Sequence, residues 1–496
     1  MDGKKLRTFI ASHWLLILLG MVFLLRLPSL FEPYWYGDEG IYLVLGQAIK
    51  KGLLLYRDIF DNKPPLIYLL AAVAGGTIFW FRFFLLASVL ASIYLFFQLS
   101  RKLFPREKKA IIVATITFAF LTTIRKFEGT IANSEIFILL PTVAGLNLIF
   151  HLLEQRARNY KSFFIAGLIM GLAPLLKIPA VFDFAAIFLF LALFRAKNRF
   201  ISLGKKEVLF LVGYLLPLVL TGLFFLARGA FTPFFTACFK QTFGYLFSWE
   251  TGSHLFSLAS FVKSDLLIRS GLLLAGLGIL FLRRKRLSPL LIFVPLWFIF
   301  ALFAATLPGR PYPHYLIQVI PPFSLAVGLL FAKKDWLNRL LVISLFGLLA
   351  LSIVRYHFWS YATLSYYQNF FQFACRQKNK TAYFAYFGQK TPQLYELAQF
   401  INESTGPQEK IFIWSNEPQL YALSRRLPIG PYTVAYHIQD LHQQKTIATL
   451  LGQQKPNLII VNHLLPTFTE LESLVNKEYR IIKATEDFTV WQRRNR

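Results

Sequence analysis

Long apolar runs, each near the length of a bilayer-crossing helix, recur along this chain and are set apart by short basic loops. About 18 or more consecutive apolar residues read as a membrane-spanning helix, and inside lipid a spanning segment must satisfy all its own backbone groups. The runs fall near Phe9–Leu27, Phe83–Leu99, Ala110–Ile124, Ile136–Leu153, Phe163–Leu176, Ala180–Phe194, Val208–Ala227, Leu266–Leu282, Leu290–Leu307, Tyr315–Phe331 and Leu337–Val354. That spacing predicts a polytopic α-helical membrane protein with about eleven crossings. The basic clusters RKLFPREKK (101–109), EQRARNYK (154–161), RAKNRF (195–200), RRKR (283–286) and KKDWLNR (333–339) lie between runs. Such clusters mark cytoplasmic loops.

With Lys4, Lys5 and Arg7 ahead of the first run, the N-terminus is expected in the cytoplasm and the loop from Tyr36 outside. The first run lacks a small-residue cleavage site and reads as a retained anchor. The short segment after Pro65, LIYLLAAVAGGTIFW, keeps this orientation only if it lies along the interface rather than crossing. The chain carries 56% hydrophobic residues, above the roughly 45–50% of soluble domains. Its formal charge of +28 follows from the basic loops, so nucleic acid is not an expected partner; the bilayer is. Cys238 and Cys375 are far apart and lack metal spacing. Apolar packing and pairing outside the cell both remain open for them.

The polar stretch YGDEGIYLVLGQAIKKGLLLYRDIFDNKPP (36–65) is too charged to remain in hydrocarbon. It brings the adjacent acids Asp38 and Glu39 and a second acidic pair, Asp58 and Asp61, into one expected outer loop. Lys63 precedes Pro64 and Pro65, whose rings restrict the backbone and hold the lysine in an extended stretch. Adjacent loop acids are often merely solvated, whereas ionisable groups at membrane level are functional candidates. On the same expected face lie Glu135, Lys177, Arg310, His314 and Tyr315. Glu135 suits either a site or helix-dipole compensation; Lys177 suits either anion binding or snorkelling. His314 also fits a hydrogen-bonded loop residue, and Tyr315 an interfacial aromatic.

Acids and cations on one side of a membrane suit sugar transfer from a polyprenyl phosphate. A carboxylate removes the acceptor hydroxyl proton, while lysine and arginine stabilise the growing charge on the leaving phosphate. The alternative function is a transporter or flippase for lipid-linked sugars, which predicts broken helices and internal repeats. No repeat is visible.

The sequence also resembles the GT-C membrane glycosyltransferases, specifically the bacterial relatives of protein O-mannosyltransferases and of the aminoarabinose transferase. The residues carrying the likeness are Asp38-Glu39 with Tyr42, Gly52…Tyr56-Arg57-Asp58, Asn62-Lys63-Pro64-Pro65, Glu135, Lys177 and His314-Tyr315. The segments KIFIWSNEPQLYALSRRLP and KPNLIIVN are similar to the outer domain of those enzymes. The resemblance implies that Asp38 is the catalytic base, that Lys63 and Lys177, with His314 or Arg310, hold the lipid phosphate, and that Glu135 binds acceptor or orients the site. Glu39 belongs to the same catalytic acids; Tyr42, Tyr56, Asp58 and Asp61 support them. Asn62 stands where some relatives carry an acid and Ile41 where some carry arginine, so the likeness implies neither aminoarabinose specificity nor a metal at position 62. No cofactor is expected, and a divalent metal is left open. The expected partners are a polyprenyl-phosphate-linked sugar and a lipid, glycan or protein acceptor.

Beyond about residue 356 the composition turns polar. Strand signals at 410–414, 458–462 and 488–492 alternate with helical ones at 392–402, 419–425 and 467–478, which predicts a small extracytoplasmic α/β domain. The expected division is therefore a membrane catalytic part (1–355, with its first outer loop at 28–82 bearing interfacial helices) and an outer domain (356–496). The outer domain shows no phosphate loop and no catalytic set, and its expected role is packing over the site.

Overall fold

The structure, a computed structural model, describes residues 3–155, 159–194, 204–242, 265–332 and 336–494. The basic stretch 195–200 and most of the expected outer loop before Lys263 lie outside the described residues. The chain forms two compact units: Met1–Ser29, Arg82–Phe231 and Cys238–Leu364 in the first, and Leu30–Phe81, Thr232–Ala237 and Ser365–Arg496 in the second.

Among the described residues, 8 helices are long and apolar enough to cross a membrane: Ser12–Phe31, Ile78–Leu103, Ser134–Glu154, Lys205–Ala227, Leu266–Arg283, Pro289–Thr306, Pro313–Phe331 and Asn338–Tyr356. The three other expected runs fold as shorter helices, Lys108–Leu121, Tyr160–Met170 and Ile178–Ala192. The chain is a multi-pass membrane protein. The Pro289–Thr306 and Pro313–Phe331 helices are each 78% buried, against 11% for Leu266–Arg283 and Asn338–Tyr356. The first two form the centre of their unit, while the others turn leucine and isoleucine outward, as lipid-facing helices do.

Close packing in this unit depends on glycine. A Cβ at Gly213 would collide with the Phe164 carbonyl, and one at Gly167 with the Phe210 carbonyl. The Tyr160–Met170 and Lys205–Ala227 helices therefore meet backbone to backbone, a small-residue interface of the kind membrane helices use. A buried polar tie joins three further segments. Trp297 Nε1 donates to Asp183 Oδ1 at 2.6 Å, and Gln318 Nε2 donates to Asp183 Oδ2 at 2.7 Å and to the Pro179 carbonyl at 3.0 Å. This tie fixes the turn after Lys177 against the segment that carries His314.

In the second unit, four strands, β1 (Phe412–Trp414), β2 (Leu458–Asn462), β3 (Tyr479–Ala484) and β4 (Phe488–Arg493), form one sheet in the order β1-β2-β4-β3. β1 pairs parallel with β2; β2 with β4 and β3 with β4 are antiparallel. Phe412, Trp414, Ile459 and Val461 pack on Ile438, Ile447, Leu451, Leu471 and Val475 to make its core.

The division differs from the one read from sequence. Residues 30–81 group with the C-terminal part, because their polar and backbone groups find partners there. Gln47 Nε2 donates to the Ala422 carbonyl at 3.0 Å, Phe60 N to the Pro431 carbonyl at 2.9 Å, and Tyr366 OH to Glu32 Oε1 at 2.7 Å. Nor is the stretch after Tyr36 a loop. Gly37–Lys50 is a helix buried from Glu39 through Ala48; the apolar residues among its polar ones follow the helical period. Leu66–Val73, expected along the interface, is a separate short helix. Cys238 and Cys375 are free thiols.

Gly213→Val should lower thermal stability in detergent by about 1–3 kcal/mol, the usual cost of forcing a side chain into filled space. Gly347→Val, where nothing lies within 4 Å of the new Cβ, should leave the melting temperature nearly unchanged.

Candidate functional site

The expected site residues fall into two clusters, one in each unit. In the second unit, Asp38 and Glu39 occupy the first turn of the Gly37–Lys50 helix, where the helix dipole favours negative charge. Tyr42 lies one turn on, its hydroxyl 3.3 Å from Asp38 Oδ2. Lys63 Nζ donates to the same oxygen at 2.9 Å and sits 4.8 Å from the Tyr42 ring centroid. The Asp38 side chain is 34% exposed, so part of it reaches solvent while its Oδ2 is held by a cation.

The backbone holds Lys63 in place from both sides. Its amide donates to Tyr68 OH at 3.0 Å and its carbonyl accepts from Tyr56 OH at 2.8 Å. Tyr56 has φ 69°, a left-handed conformation that non-glycine residues adopt rarely and that concentrates at functional sites. The Tyr68 hydroxyl in turn donates to Asp61 Oδ2 at 2.7 Å, and Asp61 Oδ1 lies 3.6 Å from His437 Nε2. His437 comes from the C-terminal part. A single histidine in a polar stretch with no partner nearby in sequence gave no signal for this contact.

Burial alone pulls the Lys63 ammonium down, but Asp38, Tyr42 and Asp61 outweigh it and hold the group well above the ordinary lysine value. Burial, then Asp38, pushes the Tyr42 phenol up, so it stays protonated and donates. Burial pushes His437 below its usual value, with Asp61 opposing. The two acids expected to act together separate. Asp61 is buried, whereas Asp58 pairs with the exposed Arg57 at 2.8 Å and accepts from Leu54 N at 2.9 Å. Arg57 holds the Asp58 carboxyl below its usual range, so this acid stabilises a turn. Glu39 is buried within its helix.

In the first unit, Glu135, Lys177, His314 and Tyr315 come together. Lys177 pairs with Glu135 Oε1, and His314 Nε2 lies 3.3 Å from the same oxygen. The Lys177 ammonium also sits 4.3 Å from the Tyr315 ring centroid. Arg310 lies half-buried in the turn before this segment.

Sequence reasoning missed a second carboxylate here. Glu128, with no exposed surface, places Oε2 2.7 Å from His314 Nδ1 and accepts from Asn133 Nδ2 at 3.2 Å. Its φ is 59°. The bend that sets this angle is fixed by Gly129, where a Cβ would strike the Thr122 carbonyl, and by buried Arg26, which donates to Thr122 O at 3.0 Å and Gly129 O at 2.6 Å. The sequence signal was present in RKFEGT: an acid before glycine, in a loop flanked by basic residues.

Residues 394–494 match the family described as "Putative competence-induced protein Ccs4 C-terminal domain". No curated protein matches the chain. Among solved structures, ArnT from Cupriavidus metallidurans bound to undecaprenyl phosphate is similar over 97% of this chain and 98% of that one, at 16% identity and TM-score 0.59. The same protein in its apo state gives 0.58 at 16% identity, with 97% and 98% covered. The Archaeoglobus fulgidus oligosaccharyltransferase tethered to an acceptor peptide gives 0.47 at 13% identity, covering 92% of this chain and 70% of that one. The ArnT likeness extends over nearly the whole of both chains and shows that the two share a fold.

The depressed His437 carries a pH signature. Its folded value lies below the unfolded value of about 6.5, so the unfolded chain binds the proton more readily. Stability is then full above that pH and falls as pH drops through the folded value. The loss of melting temperature between about pH 7 and pH 5 should be smaller in His437→Gln than in the wild type; equal losses would remove the buried neutral imidazole from the account.

Proposed function

We propose that this chain is an inverting glycosyltransferase that moves a hexosyl or pentosyl group from a polyprenyl-phosphate donor to an acceptor hydroxyl on the outer face of the membrane. The observation that supports it most is the Asp38–Lys63 pair: in a fold shared with ArnT, outside the long apolar helices, a partly exposed carboxylate is held at 2.9 Å by a half-buried cation. ArnT, of the same fold, binds undecaprenyl phosphate.

Asp38 takes the proton from the acceptor hydroxyl as its oxygen attacks the anomeric carbon from the face opposite the phosphate. Lys63 and the Tyr42 hydroxyl keep Asp38 ionised and oriented until then. The bond from the anomeric carbon to the phosphate oxygen breaks, and its electrons remain on the phosphate. The family resemblance supports Lys63 and Lys177 as the cations for the phosphate as its charge grows; within the first unit the Lys177 ammonium lies over the Tyr315 ring. These steps call for no organic cofactor, and a divalent metal is left open. The basic loops support a cytoplasmic N-terminus and an outer domain, 356–496, outside.

With purified protein and a synthetic polyprenyl-phosphate sugar, Asp38→Asn should lower kcat by about 100-fold or more, the usual weight of a general base. Near-wild-type turnover would dismiss Asp38 from that role. Lys177→Ala should raise the donor KM by about tenfold, since one charge-assisted contact is lost. An unchanged KM would mean that Lys177 serves only to balance Glu135.

A further inference from the structure

We propose that Glu128 and His314 form a dyad that gives a proton to the leaving lipid phosphate, with Glu128 the positioning residue and His314 the proton donor. The inference rests on the glycosyl-transfer reading and adds to it a role for a residue that the reading does not use.

Each ring nitrogen of His314 faces a carboxylate: Nδ1 lies 2.7 Å from Glu128 Oε2, and Nε2 lies 3.3 Å from Glu135 Oε1. A neutral imidazole has one N–H; only the imidazolium donates to both. The Lys177 ammonium meets the same Glu135 oxygen. That oxygen therefore marks a position where an ammonium and an Nε2 proton converge on one acceptor atom. A phosphate oxygen that takes its place receives both.

The groups facing His314 are consistent with a charged ring. Glu128 and Asn133 come from the bend after Thr122, and Glu135 from the Ser134–Phe137 helix with Lys177 behind it. Tyr312 stacks on the imidazole at 5.5 Å and Tyr315 meets its face edge-on at 4.6 Å. On the far side of Glu128, the Tyr361 hydroxyl hydrogen-bonds the carboxylate, and Arg125 lies 5.6 Å from the Tyr361 ring centroid. Of the groups that touch the ring's two carboxylates directly, the Lys177 ammonium meets Glu135, and the ring is the group that meets both; Arg125 lies farther off, behind Tyr361. Glu128 keeps its left-handed backbone (φ 59°) with no exposed surface, and strained, fully buried acids of this kind concentrate where a side chain must be aimed.

The step balances. As the bond from the anomeric carbon to the phosphate oxygen breaks, its electron pair turns the phosphodiester monoanion into a monoester dianion. The Nε2 proton moves to a phosphate oxygen, leaving a monoanionic monoester and a neutral imidazole whose Nδ1–H still donates to Glu128. The acceptor proton has passed to Asp38, and the new glycosidic bond completes the exchange. An imidazolium can pass its proton to a phosphate monoester dianion, whose second ionisation lies in the range near neutrality. Neutralising one charge also loosens the product from Lys177.

The test uses the full chain in detergent with an undecaprenyl-phosphate hexose. Glu128→Gln and His314→Gln should each lower kcat roughly 10- to 100-fold, in keeping with general-acid catalysis, with donor KM changed less than about twofold. Glu128→Asp should recover most of the loss. A rise in KM at unchanged kcat would overturn the proposal and leave His314 as a binding group. A second measurement does not depend on turnover: nitrogen-15 spectra of the histidine rings, with His314 assigned by its absence in His314→Gln. Protons on both ring nitrogens at neutral pH, and a shift of the Nε2 signal on adding undecaprenyl phosphate, are expected; a singly protonated ring or an unmoved signal overturns the dyad. If the wild type transfers no sugar while these spectra hold, the transfer reading fails and the phosphate-facing imidazolium stands.

Discussion

Charge held away from water needs a partner, and that requirement organises both units. Removing one member of a buried pair strands the other at a cost of about 3–5 kcal/mol, so such groups are found in pairs and networks. Asp38 has Lys63, Glu135 has Lys177 and His314, and Asp183 has the Trp297 indole and the Gln318 amide. The same requirement makes these groups usable. A carboxylate already satisfied by a cation is held in one place, and an ammonium balanced by a carboxylate can exchange that partner for a phosphate without a new charge being buried.

Aiming those side chains falls to the backbone. Lys63 is set by two tyrosine hydroxyls on its own amide and carbonyl, and one of those tyrosines, Tyr56, has a left-handed backbone. Glu128 is set by its own left-handed angle, by the close approach at Gly129 and by the buried Arg26 guanidinium on the flanking carbonyls. In both places hydrogen bonds spread over a whole turn offset the local strain. The carboxylate or ammonium then has one direction rather than an arc of rotamers, and preorganisation of that sort is where electrostatic stabilisation of a transition state comes from.

Hydrophobic run length carried most of the fold. Among the described residues each of the eleven runs falls on a helix, because spanning a bilayer imposes a length that composition cannot disguise. It did not separate long helices from short ones, since Tyr160–Met170 and Ile178–Ala192 are as apolar as their neighbours and end at turns set by packing. Short apolar runs marked β1, β2 and β4 but missed β3, in which Arg480 and Ile481 are exposed. The Gly37–Lys50 helix was read as loop because its charged first turn outweighed the apolar residues behind it. In the candidate site, Asp38, Lys63, Glu135, Lys177 and His314 stood out as ionisable groups gathered on one expected face of the membrane. Glu128 and His437 did not, because what marks them is a contact made by residues 186 positions apart in one case and several hundred in the other.

Asp61 shows how far such distant contacts alter the chemistry of a neighbour. By sequence it is another acid two residues before Lys63, a competitor for Asp38. In the fold it is spoken for: Tyr68 OH donates to Oδ2, and His437 lies beside Oδ1. Burial pushes the His437 imidazole toward its neutral form, so Asp61 shares its surroundings with a dipole rather than a second full cation, and Lys63 remains the nearby ammonium. Asn62, between them, adds an amide and no charge. The Lys63 ammonium therefore acts chiefly on Asp38, the one acid of the stretch that both touches it and keeps a third of its side chain open. That combination separates a base from a structural acid, and it is made jointly by the helix after Tyr36, the turn before Pro64 and a histidine more than 370 residues away.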